Sequence, residues 1–156
     1  MLTLRRGRPR EDVSFLDAGR RPVMLATMEV RFDEVAATFA VDAAVECGQP
    51  LIVANVVEIP LGPLCVRMGY GALEPSDEDA ANLRAPVELA HSLGVTVERL
   101  RVLSPHPIAA LLELVAERRP GLLVFGPDPD RIKPRRYRRA AKTIRERCSC
   151  LVWLPE

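Results

Sequence analysis

Apolar residues gather along this chain in short runs, separated by longer stretches in which they recur at three and four residues. Val23 to Thr27 is a short apolar run that reads as a buried strand. Phe32 to Cys47 follows, with Phe32, Val35, Ala36, Phe39, Ala40, Ala43 and Ala44 on one face of an amphipathic helix. Gly48 stands where a left-handed C-terminal cap is expected. Leu51 to Val57 is β-branched and apolar on both faces, the pattern of a strand covered by helices on either side. Residues 58–76 hold Pro60, Gly62, Pro63, Gly69, Gly71 and Pro75 and read as a long loop.

Ser76 followed by Asp77, Glu78 and Asp79 predicts an N-cap and an acidic first turn. The helix it opens runs to about Leu93, carries Pro86 as a bending point, and stops at Gly94. Val95 to Leu103 alternates apolar and polar residues, as a half-buried strand near a sheet edge does. Ser104 and Pro105 open a helix carried by Ile108, Leu111, Leu112, Leu114 and Val115, which Pro120-Gly121 breaks. Leu122 to Phe125 is a fourth buried strand, ended by Gly126. A basic, proline-rich loop over 127–136 leads to a helix from Tyr137 to Arg147 and a last strand over Leu151, Val152, Trp153 and Leu154. Strands alternating with helices predict an α/β fold: a five-stranded, mostly parallel sheet with helices on both faces, Rossmann-like, joined by right-handed crossovers.

Length and composition agree with one domain. The 156 residues suffice for a single core, and 48% apolar with 28% charged residues is ordinary for a globular chain. Residues 1–21 read as a basic arm and 22–156 as the domain. No apolar run reaches bilayer length, and no apolar segment of a secretory signal follows the first arginines, so a cytoplasmic protein is expected. Cys47, Cys65, Cys148 and Cys150 form neither a disulfide framework nor paired zinc knuckles and read as reduced, mostly buried thiols.

The order of elements over residues 22–155 resembles the universal stress protein family, whose fold is adenine nucleotide alpha hydrolase-like. Ser104-Pro105-His106-Pro107-Ile108 stands where that family turns into a helix, and Leu122-Leu123-Val124-Phe125-Gly126-Pro127 looks like its hydrophobic strand followed by Gly-Ser. The resemblance implies a nucleotide site at the carboxyl ends of the strands, but the residues that bind ATP in the family are largely replaced. The family's ribose-binding Asp falls on Met28, the second glycine of its G-x-x-G on Pro129, and its closing Gly-Ser pair near Tyr137-Arg138. Pro127, Pro129 and Pro134 lack the N–H groups that a backbone phosphate cradle needs.

The walls of that cleft would be Thr27, Met28 and Glu29, then Val56, Val57 and Glu58, then Gly126, Pro127 and Asp128. Tyr137 borders it, and Arg135, Arg136 and Arg138 could grip an anion by side-chain charge in place of the cradle. The sequence thus predicts a non-catalytic, stress-associated regulatory or binding domain with a degenerate nucleotide site and no assigned cofactor. A nucleotide-binding sensor that retains ATP or AMP affinity is the alternative.

A further alternative, a DNA-associated protein, would use the AT-hook-like Arg6-Gly7-Arg8-Pro9-Arg10 and the basic helix, where nine Arg or Lys between Arg131 and Arg147 face one Glu. Against a nucleic-acid partner, Tyr137 is the one aromatic residue there able to stack on a base. His91 and His106 have no partner at metal-ligand spacing, and no G-x-S-x-G elbow is present, so no enzyme and no metal are expected. The apolar last strand, Leu151 to Leu154, is an edge that a homodimer would cover.

Overall fold

The structure, a computed structural model, describes residues 20–60 and 74–155. The readings made of the basic arm through residue 19, of its AT-hook-like motif, of Cys65 and of most of the 58–76 loop lie outside them. Five strands and four helices alternate: β1 (Val23–Met28), α1 (Glu34–Cys47), β2 (Leu51–Glu58), α2 (Asp77–Ser92), β3 (Val97–Ser104), α3 (Pro107–Arg118), β4 (Leu122–Phe125), α4 (Pro134–Arg147) and β5 (Leu151–Trp153). All strand pairs are parallel, in the order β3-β2-β1-β4-β5. Ala26 at the centre of β1 pairs with Ala54 on β2 and Phe125 on β4.

Two layers of helix cover the sheet, and alternate residues of each strand feed them. Met24, Ala26, Met28, Ile52, Ala54, Val56, Leu123 and Phe125 face one side, where Leu111 of α3 and Ile144 of α4 are fully buried. Leu25, Leu51, Val53 and Val124 face the other, against Ala36, Ala40 and Ala44 of α1 and Leu83 of α2. α1 meets the sheet through alanines, and the α3–α4 layer meets it mainly through leucine and isoleucine. Each fully buried Leu or Ile stabilises the fold by about 1.5–3 kcal/mol. Gly48 adopts φ 62° and its N–H reaches the α1 carbonyls, so the C-terminal cap forms as the sequence predicts. β3, expected near an edge, is the edge strand, with a half-buried, half-exposed pattern.

Several boundaries differ, and prolines account for those at the starts of α3 and α4. α4 begins at Pro134, three residues before the expected start, because a proline's fixed φ and missing N–H suit the first helical turn. The basic loop is correspondingly shorter. α3 begins at Pro107, and Ser104 is the last residue of β3, its hydroxyl oxygen accepting from the His106 N–H at 3.1 Å. β1 extends through Met28, and β5 ends at Trp153 instead of Leu154. The cysteines correct another expectation: Cys47 is exposed, and Cys148 and Cys150 are only half-buried. Among the described residues no helix is long and apolar enough to cross a membrane.

Candidate functional site

The chain moves outward from β1 to β2 and β3, then crosses back to β4 and β5, so the order reverses between β1 and β4. The loops leaving those two strands part to opposite faces, which opens a crevice at their carboxyl ends. From this crevice a cleft of about 600 Å³ extends between α3 and α4. Met28, Glu58, His106, Ile108 and Ala140 line it, together with Lys133, Arg135, Arg136, Arg139 and Arg147.

The cations reach the cleft because of helical spacing. Arg135, Arg139, Thr143 and Arg147 stand four residues apart on α4 and form one stripe along the cleft. Such a stripe is costly, since like charges at this spacing repel and Arg135 also sits at the positive end of the helix dipole. Nothing acidic occupies the first turn of α4 to relieve it. Among the described residues no carboxylate pairs with Lys133, Arg135, Arg139 or Arg147.

Arg136 is placed differently. Its guanidinium bridges Glu29 at the end of β1 (2.8 Å) and Glu58 at the end of β2. Glu29 holds a left-handed conformation, φ 64°, unusual for a residue with a side chain. The Glu29 carboxylate also accepts the Glu58 backbone N–H at 3.0 Å. Arg136 therefore clamps two strand ends to the first turn of α4, and its charge is neutralised rather than offered to a ligand.

The other residues that the sequence assigns to one cleft lie in several environments. Thr27 is fully buried and donates its hydroxyl to the Val30 carbonyl at 2.8 Å. Met28 is 2% exposed, packed into the core beneath the cleft where the family resemblance puts a ribose-binding Asp. Val56 is core, while Val57 lines a separate cavity of about 270 Å³ on the α1–α2 side. Gly126 serves packing: its N–H donates to the Ala26 carbonyl, its carbonyl accepts from the Asp33 N–H, and a Cβ there would meet Ala36 at 2.1 Å. Both of its backbone groups are engaged within the fold, and Gly126 is not among the residues that line the cationic cleft.

Pro127, Tyr137 and Arg138 line a small pocket of about 190 Å³ with Pro129 and Pro155, distinct from the cationic cleft. Tyr137 donates its hydroxyl to the Pro155 carbonyl at 3.0 Å and stacks on Phe125 at 6.1 Å. Burial pushes its phenol pKa above the ordinary value. It ties α4 to the chain end at the position where the family closes its phosphate loop.

Asp128 is directed at neither space. It is buried and accepts from Arg31 Nε at 2.9 Å, and Arg31 also pairs with Glu78 at the start of α2. Burial disfavours its charge, but hydrogen bonds from Arg31 and the Asp130 N–H, with the charges of Arg31 and Arg131, outweigh that and lower its pKa. Of the sequence candidates, the structure brings Met28, Glu58, Arg135 and Arg136 to one cleft. Lys133, Arg139, Arg147 and His106 were not singled out for it, although the four-residue spacing of Arg135, Arg139 and Arg147 is visible in the sequence.

Strand order, crossover and the helix layers match a set of solved universal stress proteins. One, in complex with cAMP, superposes with a TM-score of 0.58 and 21% identity over 88% of this chain and 97% of that one. Universal stress protein UspA from Lactobacillus plantarum gives 0.60 and 15% over 88% and 99%. The Archaeoglobus fulgidus protein in complex with dAMP gives 0.54 and 17% over 87% and 98%. No family model matches the sequence and no curated protein does. The class is thus an α/β domain with a crevice at the strand ends. Its fold is that of the universal stress proteins.

Proposed function

We propose that this chain is a non-catalytic, stress-associated binding protein, and that the α3–α4 cleft holds a nucleotide or related phosphorylated molecule by side-chain charge. One observation carries the reading: Lys133, Arg135, Arg139 and Arg147 converge on one cleft without carboxylate partners among the described residues. An anion there would relieve a repulsion that the fold otherwise bears, and guanidinium grips phosphate in a bidentate manner. Two proteins of the same fold were solved with cAMP and with dAMP, which makes adenine nucleotides the first ligands to try. The backbone cradle is replaced by prolines, so recognition rests on arginine geometry. A cytoplasmic homodimer, joined through the β5 edge, belongs to the same reading.

Thermal unfolding with AMP, cAMP and ATP tests it. The midpoint is expected to rise with ligand concentration, and the rise to shrink with added salt. Arg135→Ala with Arg139→Ala should abolish it. A midpoint indifferent to all three nucleotides and to inorganic phosphate would overturn the reading, as would nucleotide turnover without bound metal for its non-catalytic part.

A further inference from the structure

α4 ends at Arg147, and the turn into β5 carries Cys148 and Cys150. Cys148 is the C-cap residue, already extended at φ −78° and ψ 134°, and its N–H donates to the Ile144 carbonyl at 2.9 Å. The chain bends twice before β5 begins, and those bends bring the two side chains together: Sγ of Cys148 lies 3.5 Å from Sγ of Cys150. Both pack at the border of the core, half-buried. An extended tripeptide would point alternate side chains the same way but leave them farther apart, so the bend makes the contact.

Cys150 also opens on solvent. With Ser149 and Leu151 it lines a groove of about 1110 Å³ at the amino end of the sheet, whose other wall holds Arg20, Arg21, Arg118 and Arg119. Among the described residues Glu117 is the one carboxylate lining it, and Arg118 is also paired with Glu98 at 2.7 Å. This groove lies at the opposite end of the strands from the cationic cleft and shares no residue with it. A positive groove concentrates anionic reactants beside Cys150.

We infer that Cys148 and Cys150 form a thiol–disulfide site, closed to an intramolecular disulfide by an anionic small-molecule disulfide of the glutathione type that enters through the arginine groove. The Cys148 thiolate attacks one sulfur of the oxidant, giving a mixed disulfide and releasing one glutathione thiolate. Cys150 then loses its proton to solvent and attacks the Cys148 sulfur, expelling the second glutathione thiolate. The protein gives up two hydrogens and two electrons, and one glutathione disulfide becomes two glutathiones.

The order of attack follows from the surroundings. Burial, with the hydrogen bond and charge of Cys148, pushes the Cys150 thiol up to about 12, so Cys150 keeps its proton at neutral pH and is not the group that attacks first. Once Cys148 is in the mixed disulfide its charge is gone, and only burial still opposes ionisation of Cys150. The first step therefore releases the second. Closing the ring would fix the turn that precedes Leu151.

Reaction of the folded, reduced protein with glutathione disulfide at neutral pH, followed by trypsin and mass spectrometry, tests the inference. Cleavage after Arg147 leaves both cysteines in the one peptide 148–156. That peptide is expected to become lighter by two hydrogens in the wild type. In Cys150→Ser it should instead retain one glutathione, with release at least about tenfold slower. The same reaction in denaturant should also leave the adduct, because the bend is then lost. A stable adduct in the folded wild type, an unreacted peptide, a cross-link between chains, or equally complete ring closure in denaturant would each overturn it.

Discussion

A Cβ placed on Gly126 would stand 2.1 Å from the Cβ of Ala36. The first turn of α1 thus rests on bare backbone at the end of β4, and this contact sets how closely the two approach. Gly126→Ala is expected to destabilise the fold by about 1–3 kcal/mol through overpacking, seen as an earlier midpoint in denaturant. Ala36→Gly removes the opposing methyl and should recover part of the loss in the double variant, less up to about 1 kcal/mol of helix propensity. Losses that simply add would place the cost elsewhere than in this contact.

Arg136 is held by Glu58, which lines the cleft, and by Glu29 just outside its lining, so two carboxylates against one guanidinium stand beside a bound phosphate. Glu29→Gln keeps the acceptor for the Glu58 N–H and removes one of them. Nucleotide affinity is expected to rise by roughly fivefold, about 1 kcal/mol for a charge at a solvent-accessible site. Calorimetric titration with AMP at low and high salt measures it, with the gain smaller at high salt. An affinity that falls would mean that the Arg136 clamp is itself what shapes the cleft.

Arrangement was legible in the sequence where one residue type has one physical reading. Gly48 as a left-handed cap, Ser76 as an N-cap and the two-faced apolar run Leu51 to Val57 lead to the observed α1, α2 and β2. Prolines were harder to place. Pro134 can end a loop or begin a helix, and only the packing of Ala140 and Ile144 on the sheet decides that the helix starts there. The site was legible only in part. Arg135, Arg136 and Arg138 are near neighbours in sequence yet point to a cleft, a carboxylate pair and a separate pocket. Gly126 invites a phosphate-loop reading because its steric partner, Ala36, lies far away along the chain and nothing local announces it.

Asp128 supplies a pH dependence whose sign follows from its lowered pKa. The folded protein holds the carboxylate below the ordinary value of 3.8, so its contribution is complete above that value. It is lost as pH falls past 3.8 and through the lower, folded-state pKa. Asp128→Asn is expected to destabilise the neutral-pH protein by about 1.5–3 kcal/mol, the range for a hydrogen bond to a charged group. The variant should also lose less stability than the wild type on acidification in this window. Parallel acid curves for the two proteins would assign the acid sensitivity to other carboxylates.

The β5 edge bears on assembly. Leu151 is 74% exposed on a strand paired on one side only, while Trp153 is half-buried and stacks on Phe39 of α1 with centroids 4.9 Å apart. Val35 and Phe39 extend this apolar surface along α1. Trp153 thus has an intramolecular partner, and Leu151 is the residue of this edge that the proposed homodimer would cover. Leu151→Asp is expected to convert a homodimer to monomer in sedimentation experiments, with little effect on monomer stability because the side chain is already solvated. Trp153→Ala removes packing on Phe39 and should cost the monomer about 3 kcal/mol or less, given partial burial. A wild-type protein that sediments as a monomer at high concentration would exclude the β5 dimer and leave Leu151 a solvated edge residue.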